Sequence, residues 1–149
     1  MKSRFKLIVL HVIIPILFGG MIYIAFRSKS LKMFNWFDII GLESVIDFVR
    51  QNLIPFQNQF PTWFFNSLPD GLWVYAFTSA LLIIWNNNFQ EVKYWLLFPI
   101  VLGAGVEIAQ GFRLFTGTFD IVDLLFTILG IIISISYFNL IHIQNEKQN

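Results

Sequence analysis

Residues 7–26, "LIVLHVIIPILFGGMIYIAF", are twenty consecutive positions without a formal charge, preceded by Lys2, Arg4 and Lys6 and followed by Arg27 and Lys29. Crossing the hydrocarbon core of a bilayer takes a helix of about 20 apolar residues. In hydrocarbon the backbone has no water to bond, so a run of this kind restricts the chain to helix there. A basic start before an apolar stretch also suits a signal peptide. This stretch is longer than a signal-peptide core and no small-x-small cleavage site ends it, so it reads as a retained helix.

Three more runs of similar character follow, at about 68–85, 94–112 and 121–141. The first of these is entered through "SLPD", where Ser67 and Asp70 have capping-box spacing and Pro69 lies in the first turn. Trp85, Tyr94 and Trp95 bracket the polar turn "NNNFQEVK" at one expected interface, and Phe112, Phe115 and Phe119 surround the turn at the other. Residues 27–67 are too long for a simple turn and too aromatic for a solvated linker. Within them Leu42, Val45, Ile46, Val49 and Leu53 fall on one side of a helical projection, with Glu43, Asp47, Arg50 and Gln51 on the other. The segment is either a loop packed on the bundle or a lid that contacts lipid. The expected fold is therefore all-α, one domain over 1–149. It is an integral membrane four-helix bundle with an amphipathic, aromatic-rich interfacial segment at 27–67 between helices 1 and 2.

Composition agrees with this and narrows function. With 56% hydrophobic and 13% charged residues, the chain is more apolar than a soluble domain. A formal net charge of +1 and no basic run exclude a nucleic-acid partner. The absence of cysteine excludes disulfides, thiolate metal sites and a thiol nucleophile. Lys2, Arg4, Lys6, Lys93 and Lys147 outnumber Arg27, Lys29, Lys32 and Arg113 near the other ends of the spans. The expected location is thus the cell membrane, multi-pass, with both termini cytoplasmic.

The polar residues that this reading does not absorb are concentrated in "GAGVEIAQGFR", 103–113, and "FDIVDLLFTILG", 119–130. Glu107 lies about 7–8 Å inside the end of the third span at 1.5 Å per residue. A charged group inside a span costs about 2.5–3.5 kcal/mol at its centre, less toward an end, and ordinarily faces a partner within the bundle. Gln110 and Arg113 continue the same helical stripe, which lets Arg113 reach back to Glu107. Across a short turn, Asp123 and Thr127 bracket the depth of Glu107, while Asp120 sits where capping and the helix dipole select a carboxylate. Gly103, Gly105, Gly111 and Gly130 permit close helix approach around them. The candidate ligand-binding set is Glu107, Gln110, Arg113, Asp120, Asp123 and Thr127, with Glu107 and Asp123 as the candidate acid and base of any reaction. His11 and His142 read as packing residues and Pro15 as a kink. Glu107, Asp123 and His11 make no metal-ligand spacing, so neither a metal nor a cofactor is expected.

The pattern of a helix ending in Glu-x-x-Gln, a short loop, then Asp-x-x-Asp leading into a span with a following glycine resembles the VanZ-like family of small membrane proteins. Here the matching residues are Glu107, Gln110, Asp120, Asp123 and Gly130, and "NLIPF" at 52–56 resembles an element of the long first loop in some members. The match covers about the last 55 residues, and the rest only by layout. The chain departs from the family in placing its arginine, Arg113, before the loop and in having no basic residue in "PDGLWVYAF". The resemblance implies a small envelope protein. The named member of that family is associated with resistance to the lipoglycopeptide teicoplanin.

Three functions compete on these residues. One is a polar pocket near the outer face that binds a lipid headgroup or another amphiphile, with Glu107 and Asp123 as anchors, Gln110 orienting them and Arg113 attracting an anionic group. A second is acid and base catalysis by paired carboxylates on a lipid-linked substrate. The third is a small structural subunit or transporter component that partners a larger membrane complex; a transport route would need polar groups in both halves of the bundle.

Overall fold

The computed structural model describes the backbone of residues 2–114 and 119–146 and the side chains of 4–114 and 119–141. Among the described residues the chain is all-α. Two helices are long and apolar enough to cross a membrane, Arg4–Phe26 and Ile121–Ile141, with mean hydropathies of 2.5 and 2.3. Two shorter apolar helices, Leu68–Ile84 and Leu97–Gly111, stand with them. The Leu68–Ile84 helix is the hub: its most extensive contacts are with the C-terminal helix, Ile121–Glu146, and then with the N-terminal one.

Close approach at this hub depends on glycine. A β-carbon on Gly130 would lie 2.5 Å from the carbonyl oxygen of Gly71, and one on Gly71 would lie 2.8 Å from that of Phe126. Backbone thus meets backbone, as small residues allow at membrane helix contacts. Gly103 makes a similar approach to Thr127, whereas Gly105 and Gly111 have no such close neighbour on another bundle helix.

Outside these contacts the long helices present apolar side chains outward, among them Leu17, Ile132, Ile133 and Leu140. Inside, polar groups are stitched in pairs. Ser79 and Ser134 share a 2.9 Å hydrogen bond, His11 Nδ1 and the Tyr75 hydroxyl are bonded at 2.5 Å, and Asn87 Nδ2 donates to the Phe138 carbonyl. The His11 ring also packs on Tyr137, centroids 4.3 Å apart. His11 Nε2 is buried without a hydrogen-bond partner among the described residues. The side chain of His142 and the whole of Phe115 and Lys147 lie outside the described residues.

Local chemistry sets the irregularities. Pro15 has no N–H with which to reach the carbonyl four residues back, and the helix widens into a π-turn at Val9–Ile13. A second π-turn, Val101–Gly105, falls on the glycine-rich stretch of the Leu97–Gly111 helix. That helix begins at Leu97 rather than at Tyr94, with Pro99 in its first turn, where a missing N–H is tolerated.

The capping box expected at Ser67 and Asp70 does not form. Ser67 has helical backbone angles and makes no side-chain cap, because the short helix Thr62–Asn66 leads almost directly into Leu68–Ile84: Ser67 N–H donates to Trp63 O at 2.9 Å and Gly71 N–H to Ser67 O at 3.1 Å. With those amides already bonded to the preceding turn, Asp70 has no cap to serve.

The segment 27–67 is mostly helical rather than a loop: Lys32–Ile39, Glu43–Leu53, a 3-10 turn at Ile54–Gln59, and Thr62–Asn66. Glu43–Leu53 packs on the N-terminal helix through Ile46. Arg50, placed by the helical projection on the polar face, turns toward the bundle instead. Its Nη1 donates to Ile24 O at 2.7 Å and Arg27 O at 2.8 Å, satisfying carbonyls that the end of the N-terminal helix leaves open. Trp63 stacks on Phe126 of the C-terminal helix, centroids 5.3 Å apart. The other side of the segment leaves Trp36, Ile39, Ile40 and Phe48 largely exposed. Asn52 of "NLIPF" bonds back to Phe48 O and takes no part in the site described next.

Candidate functional site

A cavity of about 430 Å³ opens between the Leu68–Ile84 and Leu97–Gly111 helices, with the C-terminal helix contributing Thr127. Asp70, Glu107 and Thr127 are its polar side chains; Trp73, Val74, Phe77, Pro99, Leu102 and Val106 form most of the remaining wall. Its size falls within the range of small-molecule sites, about 300–1,000 Å³, and so does the mix of apolar wall with a few convergent polar groups.

Each polar group is delivered by a different helix. Glu107 sits in the helical turn after the π-turn, and its Oε2 accepts the Asp120 N–H at 3.4 Å. The carboxylate is thus tied to the entrance of the C-terminal helix. Asp120 Oδ1 accepts the Val122 N–H at 2.8 Å, the local bond of a helix-opening carboxylate. That is the capping bond expected of Asp120, and the residue does not line the cavity. Thr127, one turn beyond Asp123, is 2% exposed and its hydroxyl makes no hydrogen bond among the described residues. Asp123 does not line the cavity, but it lies within electrostatic range of both Asp70 and Glu107, and its Oδ1 is buried without a hydrogen-bond partner among the described residues.

The residue that sequence reasoning missed is Asp70. Its position in "SLPD" invites a capping assignment, and only the near-continuity of the two helices around Ser67 frees the side chain to line the cavity with Glu107. The signal available in advance was an acidic residue at the start of a span at the same end of the bundle as Glu107 and Asp123. Arg27 was likewise counted only as a flank. It lies within electrostatic range of Asp70, donates to Asn66 O at 3.3 Å, and sits over the Tyr23 ring at 5.2 Å.

Two expected members are not brought to the cavity. The Leu97–Gly111 helix ends in a pair of bonds, Leu114 N–H to Ala109 O at 2.8 Å and Arg113 N–H to Gln110 O at 2.9 Å, with Arg113 left-handed at φ 58°. This is the geometry of a Schellman stop, and it swings Arg113 off the stripe it shares with Glu107 in an ideal helix. Arg113 is exposed, and no ion pair joins it to Glu107 among the described residues; the ion pair found is Lys29 with Asp47. Gln110 is half-buried, does not line the cavity, and its side chain makes no hydrogen bond among the described residues. Nor do the described residues include a cluster of three ligands placed to hold a metal ion.

No protein-family model, curated protein or solved structure matches this chain.

Proposed function

We propose that the chain is a VanZ-like, multi-pass membrane protein whose cavity binds the polar end of a lipid or other amphiphile in the cell envelope. The observation that carries this reading is the cavity itself: Asp70, Glu107 and Thr127 converge on a space with a mostly apolar wall. A pocket of that composition suits a molecule with one polar end and one apolar end. The outward apolar faces of the two long helices support a bilayer around them. Leu68–Ile84, at 17 residues, is about 25 Å long at 1.5 Å per residue. On this reading it and Leu97–Gly111 cross the bilayer as well, where local thinning accommodates their length. The exposed Trp36, Ile39, Ile40 and Phe48 then lie in the headgroup layer, as aromatic and aliphatic side chains of interfacial helices do.

The test is native mass spectrometry of the full chain released from nanodiscs, for the wild type and for Val106→Trp, which fills the cavity. One retained amphiphile per chain in the wild type and none in the variant is the expected result. Equal retention by both would remove the cavity from the function. In cells, Glu107→Gln at unchanged protein level is expected to alter sensitivity to a lipoglycopeptide, and identical sensitivity would argue against the envelope role.

A further inference from the structure

We infer that the cavity selects a cationic amine, so that the amphiphile it takes carries an N–H-bearing positive group rather than a phosphate or carboxylate end. This rests on reading the cavity as an amphiphile site and concerns the charge of its ligand.

Asp70 and Glu107 both line the cavity, and Asp123, outside its lining, lies within electrostatic range of each of them. Against these three carboxylates the cation within electrostatic range of Asp70 among the described residues is Arg27, whose Nη2 donates to the Asn66 carbonyl and whose Nε is buried without a partner, but whose side chain does not line the cavity. Arg113, which an anionic ligand would need, is outside on the far side of the helix stop. Carboxylates held in a low-dielectric site are costly unless an opposite charge pairs with them. An anionic headgroup would add like charge to the cluster, whereas an ammonium would neutralise part of it.

The remaining acceptors point the same way. Thr127, 2% exposed, lines the cavity and offers its hydroxyl there. An N–H donor placed among these cavity-lining groups supplies what the carboxylates and this hydroxyl accept. Trp73 and Phe77 form part of the same wall, and aromatic faces attract cations. A quaternary ammonium would use the aromatic faces but offer no N–H to the three acceptors. Leu102 and Phe77 are both exposed at the edge of the cavity, so an alkyl chain attached to the amine can leave sideways between the helices.

The experiment uses the full chain in a neutral detergent at neutral pH with four single-chain probes: dodecylamine, dodecyltrimethylammonium, dodecanol and dodecyl phosphate. Dodecylamine is expected to bind at least about tenfold more tightly than either dodecyl phosphate or dodecyltrimethylammonium, the size of one charge-assisted hydrogen bond. Glu107→Gln and Asp70→Asn are each expected to reduce that preference about tenfold while changing dodecanol affinity less than about twofold. Asp70→Glu, which keeps the charge, is expected to retain it. Dodecyl phosphate binding as tightly as dodecylamine, or a preference unchanged in Glu107→Gln, overturns the amine reading. If Val106→Trp still blocks every probe in that case, the cavity reading survives. Binding of all four probes unaffected by Val106→Trp overturns both.

Discussion

At the scale of single residues, Asp70 and Arg113 each depart from the role that spacing assigns them, and in both cases the neighbouring backbone decided. Asp70 lost its cap partner because helix already precedes it through Ser67. Arg113 left the Glu107 stripe because the chain turns left-handed there. A left-handed backbone costs a residue with a β-carbon about 1–2 kcal/mol, while glycine returns part of that through the greater entropy of its unfolded chain. Arg113→Gly is therefore expected to raise stability by about 0.5–1 kcal/mol, read as thermal unfolding of the purified protein, and to leave amphiphile binding unchanged. Loss of binding in that variant would restore Arg113 to the site. Glu107 needs no such revision: its depth in an apolar run marked it, and in the folded chain it reaches both the cavity and the entrance of the C-terminal helix.

Among the elements, the crossing of Leu68–Ile84 with the C-terminal helix is the contact on which the cavity depends, since it carries Asp70 on one side and Thr127 on the other. The crossing is limited by backbone rather than side chains, so it has little room to relax. Gly130→Ala is expected to destabilise the protein by about 1–3 kcal/mol through overpacking against Gly71 and to weaken amphiphile binding with it. Gly20 provides the contrast: it lies in the N-terminal helix and a β-carbon there meets nothing within 4 Å. Gly20→Ala is expected to stabilise by about 0.5–1 kcal/mol from helix propensity alone. Equal melting shifts for the two variants would mean that the crossing is not tight. The helices of segment 27–67 show the limit of periodicity as a guide. Glu43–Leu53 was legible from its apolar spacing, but Arg50 joined the packed side because its guanidinium caps the end of another helix, a partner remote in sequence.

For the whole molecule, the proposed four-span arrangement places the turn around Gln90 and the interfacial segment around Asn58 on opposite sides of a bilayer. The chain has no cysteine, so Gln90→Cys and Asn58→Cys, both at exposed positions, report accessibility without background. An impermeant thiol reagent added to intact cells is expected to label Asn58→Cys and not Gln90→Cys, and labelling of both from one side would dismiss the four-span arrangement. The sequence by itself determined the helical class, the approximate course of the four apolar helices and the prominence of Glu107, because run length and the cost of burying charge are properties of local composition. Only the tertiary structure decided which polar groups meet. Membership of the cavity depends on how one helix runs into the next at Ser67, on where a left-handed residue ends the helix after Glu107, and on how closely Gly71 and Gly130 let two backbones cross. Each is set by contacts between residues distant in the chain or by backbone turns that spacing along an ideal helix does not encode.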